Sequence, residues 1–316
     1  MSKERSALTS VLGLHHIGIS VRDIDRAARF YSEATQLQRL EIDRISGELP
    51  IEPNRTAVLG GPNGFLELMQ FDNTDPSTRS VIGPGPTHVC YQAPAELALY
   101  KKFKSLGAKT VSVGNPPIDL NGRGVEYVYA CDADNILFEV EQLDTPRFEG
   151  PIWLAHIALA CEDIDASVEF YRDLLGVEPY GRANKVTGPK FDQVTGLESV
   201  RIRAAWFNTG NMVIELWQFI EPTTPAANEP SQFSEVGYNK FSLQVGDLGV
   251  EHARLSALGF PMLNEPSEHN GVAELYTRDP DGNLLSLAQV GDSGVSITEM
   301  ETIDWLPSPQ HPEIQA

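Results

Sequence analysis

Histidine and glutamate recur at evenly spaced positions in the first half of the chain. His16, Glu67, His88 and Glu139 lie 51, 21 and 51 residues apart. Each falls in a short segment in which apolar residues alternate with other residues, a pattern that predicts a β-strand. The apolar faces must pack against helices, so the His and Glu side chains are expected on the concave face of a curved sheet. Two imidazoles and two carboxylates form a ligand set for a divalent metal ion.

The surroundings of Glu67 favour the same interpretation. Glu67 lies in the segment GFLELMQF (64–71), with Phe65, Met69 and Phe71 on its own face of the strand. An ionised carboxylate among such side chains is unfavourable unless a metal ion or another cation lies beside it. We therefore expect a metal ion close to this residue.

The segments that hold these residues are repeated in the second half of the chain. The matching pairs are LHHIGISVRDIDRAARFY (14–31) with LAHIALACEDIDASVEFY (154–171), GFLELMQF (64–71) with MVIELWQF (212–219), 88–109 with 240–260, and DADNILFEV (132–140) with DPDGNLLSL (279–287). Asp23 and Asp163 follow the first strand of each half and are typical helix N-caps, and each predicted helix ends near Gln36 or Leu175. The repeats predict an α+β fold of four βαβββ modules, two in each half.

The same repeats predict the domain organisation. We expect a first domain at residues 10–145 and a second at 151–290, joined by the segment TPRFEGP (145–151). Residues 291–316 are expected to form a polar, frayed C-terminal tail that ends in PSPQHPEIQA.

The bulk composition excludes several classes of function. The chain has 316 residues and a net charge of −20, which disfavours nucleic-acid binding and docking on anionic membranes. It has no apolar run long enough to span a membrane, and the polar segment MSKERSALTSV (1–11) leads us to expect no secretory leader. Its three cysteines fit neither a disulfide framework nor a Cys-x-x-Cys metal site. We expect a cytoplasmic protein with a small-molecule substrate, no nucleic-acid or membrane partner, and a homodimer as one option for its assembly.

Three motifs resemble those of the vicinal oxygen chelate superfamily. They are the opening HxxxxVxDxDxxxxFY, the strand (L/I)EL(M/W)QF and the DPDGN turn before the last strand, and together they cover most of residues 12–289. The resemblance implies two tandem domains with cup-shaped sheets and one divalent metal ion, which would be Zn, Ni, Co, Mn or Fe. It also implies that His16, Glu67, His88 and Glu139 are the ligands.

The second half departs from the family pattern at two positions. His156 and Glu215 are kept, but Lys240 stands where the first half has His88, and Ser286 stands where it has Glu139. A charged Lys cannot bind a metal ion, and Ser is a poor ligand. We therefore expect one of the two sites to be broken.

The identity of the intact site depends on how the modules pair. If each domain forms its own cup, the ligands are His16, Glu67, His88 and Glu139, and this is the arrangement that we favour. If the halves exchange modules, as glyoxalase I-like proteins do, the complete set is His88, Glu139, His156 and Glu215. Lys240 is expected to form an ion pair with Glu215 in the first arrangement and with Glu67 in the second.

Three functions are compatible with this sequence. The first is an isomerase, epimerase or glyoxalase-type lyase, in which the metal ion polarises a carbonyl and Glu139 or Glu67 moves the adjacent proton. The second is a non-haem iron dioxygenase of the extradiol type with a triad of two His and one carboxylate. The third is a resistance-type protein that binds a small molecule without chemistry. The intact set of four ligands favours the first function.

Overall fold

The computed structural model describes residues 9–49, 51–72, 75–226, 230 and 232–302. Module 1 consists of β1 (Val11–Val21), α1 (Ile24–Thr35), β2 (Gln38–Arg39), β3 (Arg55–Gly60) and β4 (Phe65–Gln70). Module 2 consists of β5 (Gly85–Pro94), α2 (Leu99–Ser105), β6 (Lys109–Thr110), β7 (Ile118–Asp119), β8 (Val125–Cys131) and β9 (Leu137–Leu143).

Module 3 consists of β10 (Trp153–Ala160), α3 (Ile164–Leu175), β11 (Gly181–Thr187), α4 (Pro189–Thr195), β12 (Arg201–Asn208) and β13 (Val213–Glu221). Module 4 consists of β14 (Gly237–Val245), α5 (Leu248–Ala257), β15 (Ser267–His269), β16 (Val272–Arg278) and β17 (Leu284–Val290). The predicted α+β fold of four βαβββ modules is confirmed. No helix in the described ranges is long and apolar enough to cross a membrane.

The first helix of each half begins and ends where its sequence predicts. The side chain of Asp23 accepts a hydrogen bond from the amide of Arg26, and Asp163 caps α3 in the same way. Both helices end at a residue in the left-handed conformation, Gln36 with φ 64° and Gly176 with φ 65°. These boundaries depend on neighbouring residues, so the sequence alone is enough to place them.

The modules are exchanged between the two halves of the chain. Strand β1 pairs antiparallel with β14, and β10 pairs antiparallel with β5. Sheet A therefore combines modules 1 and 4 in the order β15-β16-β17-β14-β1-β4-β3-β2. Sheet B combines modules 3 and 2 in the order β11-β12-β13-β10-β5-β9-β8-β6. Our expectation that each domain forms its own cup was wrong, since neither half builds a sheet from its own two modules.

The two modules of one half are joined on the helical side instead. Phe30 of α1 packs against Phe103 of α2 with ring centroids 5.3 Å apart. The hydroxyl of Tyr31 donates to Asp132 at 3.0 Å, and Tyr171 donates to Asp279 at 3.0 Å in the second half. Thus the helices hold each half together while the strands pair across halves. The repeated strands offer similar edges, so the sequence pattern does not distinguish the two pairings.

Two asparagines at equivalent places in the halves bridge the sheets. The Asn63 amide donates to the carbonyls of Leu154 and Asn211 at 2.7 Å, and its oxygen accepts from the Leu154 amide at 3.1 Å. Asn211 makes the same three contacts with Leu14 and Asn63, at 2.7, 2.7 and 2.9 Å. Because both side chains are buried, these bonds fix the relative position of the two sheets.

The chain beyond β17 packs on the concave face of sheet A. Ile297 is buried against Ile45, Val58 and Phe65. The amide of Ile297 donates to Gln244 Oε1 at 2.9 Å. The expectation of a frayed tail was therefore wrong for residues 291–302. The segment PSPQHPEIQA (307–316) lies outside the described residues.

Candidate metal centre

We call the concave face of sheet B cup B. The strand register brings four chemically reactive side chains onto this face: His88, Glu139, His156 and Glu215. Ala158 of β10 lies between His88 on β5 and Glu215 on β13. His156 and Glu139 lie one row further along, on β10 and β9. Each half of the chain contributes one histidine and one glutamate to this face.

The ligand atoms of these residues point towards one another. His156 Nε2 lies 3.0 Å from Glu139 Oε2 and 3.3 Å from Glu215 Oε2. His88 Nε2 lies 3.4 Å from Glu139 Oε2. Ligand atoms of His88, His156 and Glu215 all fall within 4.8 Å of one another. Such a cluster has the dimensions of a single metal coordination sphere.

Three of these atoms are buried without a hydrogen bond. They are His88 Nε2, His156 Nε2 and Glu215 Oε2, which lie at ion-pair distance from facing ligand atoms of the cluster but have no hydrogen-bond partner in the described part of the chain. Buried polar atoms are almost always satisfied, so a convergent group of three needs an explanation. A divalent cation at their centre would satisfy all of them, and the donor set suits Zn, Ni, Co, Mn or Fe. The residues present therefore fit a metal ion.

Neighbouring side chains hold the ligands in place. Thr87 Oγ1 lies 2.9 Å from His88 Nδ1, which leaves Nε2 to face the cup. Trp206 Nε1 donates to Glu215 Oε1 at 2.5 Å. The other oxygen of Glu215, Oε2, faces His156. Contacts of this kind orient ligands and tune their affinity for a metal ion. Sequence reasoning missed Trp206, because nothing in its own segment indicates that it lies beside Glu215.

The mutual contacts shift the pKa values of Glu139 and His156. Burial alone would raise the pKa of Glu139, but the neighbouring His156 and His88 rings lower it to about 2. Burial would lower the pKa of His156, but Glu215 and Glu139 raise it to about 9. Next to them, burial and the charge of Glu139 raise the pKa of Glu141 to about 7. Cup B thus stabilises positive charge at its centre.

Aromatic side chains cover the cup. Phe191 of α4 packs against Trp217 with ring centroids 5.6 Å apart, and Trp217 lies 5.8 Å from the His88 ring. Ser112, next to the edge strand of module 2, donates to the carbonyl of Val194 at 2.5 Å and ties α4 down. The ligands therefore lie in a largely apolar environment in which electrostatic interactions are strong.

The expected ligand set His16, Glu67, His88 and Glu139 does not come together. His16 and Glu67 lie on the concave face of sheet A, which we call cup A, and His16 Nε2 is 3.5 Å from Glu67 Oε2. Their assignment beside His88 and Glu139, and the assignment of Glu67 as a base there, were wrong because the modules are exchanged. The alternative set His88, Glu139, His156 and Glu215 is the one that the fold assembles.

In cup A an ammonium group lies among the carboxylates. Lys240 Nζ is 3.8 Å from Glu67 Oε2, as expected for exchanged modules, but it is closer to Glu274 Oε1, at 3.0 Å. Glu274 was not among the residues predicted from the sequence. An offset of 147 residues aligns Glu139 with Ser286 and, in the same way, Tyr127 with Glu274, so the repeat could have revealed the added carboxylate.

Hydrogen bonds satisfy Glu67 Oε1 and both oxygens of Glu274, whereas Glu67 Oε2 and His16 Nε2 have no hydrogen-bond partner in the described ranges. Glu67 Oε1 accepts from the amides of Ile45 and Ser46 at 2.9 and 3.1 Å and from Ser46 Oγ at 2.9 Å. Glu274 accepts from Ser286 Oγ at 2.5 Å and from Tyr276 OH at 2.7 Å. Burial would raise the pKa of Glu274, but Lys240 and these donors lower it. Cup A is thus a buried ion-pair network closed by the loop at residues 41–49.

Comparison with known proteins identifies the family. The model of the Glyoxalase/Bleomycin resistance protein/Dioxygenase superfamily matches residues 13–140 and 153–287. The chain belongs to this superfamily. The resemblance predicted from the sequence motifs is confirmed, and the two matches correspond to the two halves of the repeat.

Several relatives within the superfamily are enzymes by name. The chain is 26% identical over 137 residues to an ethylmalonyl-CoA/methylmalonyl-CoA epimerase of Cereibacter sphaeroides. The matched segment covers 41% of this chain and 97% of the relative. It is 28% identical over 169 residues to a lactoylglutathione lyase of Oryza sativa subsp. japonica. The matched segment covers 52% of this chain and 54% of the relative. Glyoxalase I from Zea mays has the same fold, with a TM-score of 0.62 and 21% identity over 88% of this chain and 92% of that one.

Proposed function

We propose that the chain is a metal-dependent enzyme that moves a proton next to a carbonyl group of a small oxygenated metabolite. One divalent metal ion is held in cup B by His88, Glu139, His156 and Glu215. The observation that carries this proposal is a group of three buried ligand atoms that lie within 4.8 Å of one another and accept or donate no hydrogen bond among the described residues. The epimerase and lyase among the relatives support the same class of reaction.

The bound metal ion would act as a Lewis acid that polarises the substrate carbonyl and lowers the pKa of the adjacent C–H group. Glu139 and Glu215 are then the candidate bases, and Glu215 takes the role that we expected for Glu67. Trp206 fixes Oε1 of Glu215 and leaves Oε2 facing the cup. Phe191 and Trp217 exclude water from the reacting groups, which strengthens the electrostatic interactions there.

A ring-cleaving dioxygenase is the second candidate. It would use His88, His156 and one carboxylate and leave positions for its substrate and O₂. The anchored fourth group, Glu215, works against this reading because it takes up one of those positions. A binding protein without chemistry is the third candidate, and the buried ligand set works against it.

Metal analysis and isotope exchange test the proposal. The purified protein is stripped with a chelator, reloaded with Zn, Ni, Co, Mn or Fe in turn, and assayed for metal content. Each form is then incubated in D₂O with methylmalonyl-CoA or lactoylglutathione, and deuterium next to the carbonyl is measured by mass spectrometry. We expect one metal ion per chain and metal-dependent exchange.

Matched variants assign the exchange to cup B. Glu215→Gln and Glu139→Gln should each slow it by at least about 100-fold, the scale of a lost general base. His16→Ala, which changes only cup A, should leave it unchanged. Absence of stoichiometric metal would favour a binding protein, and iron-dependent oxygen uptake with catechols would favour the dioxygenase. Either result would contradict the proposal.

A further inference from the structure

The floor of cup B continues beyond the metal ligands in a second row of polar side chains. Gln92 of β5 lies between Trp153 on β10 and Glu141 on β9, and Glu141 in turn pairs with Tyr127 on β8. Glu141 lies two residues after Glu139, so both side chains point to the same face of the strand. We call Trp153, Glu141 and Tyr127 the second row.

This row is in contact with the metal ligands. Ligand atoms of Glu141, Glu139, Cys90 and His156 all lie within 4.8 Å of one another. Trp153 packs against Cys90 in the same cluster. A substrate bound at the four ligands would therefore extend naturally over the second row.

The polar groups of the second row are only partly used. Gln92 Nε2 donates to Glu141 Oε2 at 2.6 Å and fixes that carboxyl group. Trp153 Nε1 and the Tyr127 hydroxyl are buried, and neither has a hydrogen-bond partner within the described ranges. A buried donor without a partner is unfavourable, because it has lost its hydrogen bond to water. The proposed metal site uses neither group. Both donors are therefore available to hydrogen-bond a ligand that binds in cup B.

We propose that the second row is a subsite that binds a hydroxyl group of the substrate. A hydroxyl group accepts hydrogen bonds from Trp153 and Tyr127 and donates its own proton to Glu141. A carboxylate or phosphate has no proton to donate to Glu141, and an alkyl group would leave both donors unpaired. This inference rests on the proposed function, because it places the hydroxyl group relative to oxygens bound at the metal.

The strand geometry sets the length of the substrate. Successive residues on one face of a strand are about 6.5–7 Å apart. The second row is thus displaced by about 6–7 Å along the strand from the row of Glu139, a length that matches an acyl chain of about five carbons with a terminal hydroxyl. The enzyme would thus act on a hydroxylated acyl compound or a sugar-derived acid of that length.

Hydroxamates provide a probe, since they bind a metal ion through two neighbouring oxygens. The Co²⁺-loaded protein is titrated calorimetrically with pentanohydroxamic acid and with 5-hydroxypentanohydroxamic acid, which differ only in the terminal hydroxyl group. We expect the hydroxylated compound to bind about tenfold more tightly, since the three hydrogen bonds in the subsite replace hydrogen bonds to water and their net gain is small. Tyr127→Phe and Trp153→Phe should each reduce this preference, and the double variant should remove it, with metal content unchanged in all three.

Tyr91→Phe serves as the matched control. Tyr91 also has a buried hydroxyl group with no partner among the described residues, but it packs in the helix-side core. Its loss should leave the preference intact. Equal binding of the two hydroxamates, or tighter binding of 5-aminopentanohydroxamic acid than of the hydroxyl compound, would overturn the subsite while leaving the metal site standing. Failure of every hydroxamate to bind the loaded protein would overturn both the subsite and the proposed function.

Discussion

Lys240→Met should destabilise the protein without affecting the metal centre. Lys240 is fully buried, and its Nζ lies 3.0 Å from Glu274 and 3.8 Å from Glu67. Methionine is close in size and removes only the charge. It leaves two buried carboxylates without a cation, a change that typically costs about 3–5 kcal/mol.

The effect can be measured by thermal unfolding at neutral pH. At about 2 °C per kcal/mol for a chain of this size, the melting temperature should fall by about 6–10 °C. Lys185→Met is the matched control, because Lys185 is exposed on β11 and its loss should shift the melting temperature by less than about 2 °C. Metal content should be the same in both variants and in the unchanged protein.

The destabilisation should also depend on pH. The folded-state pKa of Glu274 lies below its ordinary value of 4.5, with burial opposing and Lys240 driving the shift. Its contribution to stability is therefore present above pH 4.5 and is lost as the pH falls through the folded-state pKa. The stabilisation that Lys240 gives should therefore hold between pH 7 and pH 4.5 and be lost as the pH falls further. A melting temperature within about 2 °C of the unchanged protein at pH 7 would refute the idea that the ammonium group replaces a metal ion in cup A.

Three further predictions follow from the site and the fold. His156→Ala should abolish stoichiometric metal binding, as measured by elemental analysis, while His16→Ala should retain it; the reverse pattern would contradict the assignment. Trp206→Phe should weaken metal affinity by about 10–100-fold in a chelator competition assay, because it releases Glu215, and an unchanged affinity would exclude that role. Asn211→Ala should lower the free energy of unfolding in urea by about 2–3 kcal/mol, because it leaves buried backbone groups of the opposite sheet unpaired; a change below about 0.5 kcal/mol would mean that the bridge is dispensable.

The sequence predicted the modules well because they depend on local patterns. Alternating apolar residues, the caps at Asp23 and Asp163, and the repeated motifs placed the strands and helices of the four modules. Two of the four ligands that the fold assembles, His88 and Glu139, belonged to the expected set in either arrangement.

The pairing of modules could not be read from the sequence for a physical reason. Strands β1 and β10 have nearly the same pattern, so either could pair with β5 or β14. The choice depends on packing between halves, including the Asn63–Asn211 bridge, and such contacts join residues 148 positions apart. Ile297 was missed for the same reason, because its burial depends on a cup formed by distant strands.

The most direct test of the account is the position of the metal ion in a crystal of the metal-loaded protein. Anomalous scattering at the absorption edge of the metal locates it independently of the protein model. We predict one strong peak per chain in cup B, within coordination distance of His88, Glu139, His156 and Glu215, and none in cup A. A peak between His16 and Glu67, or the absence of a peak in cup B, would contradict the central claim.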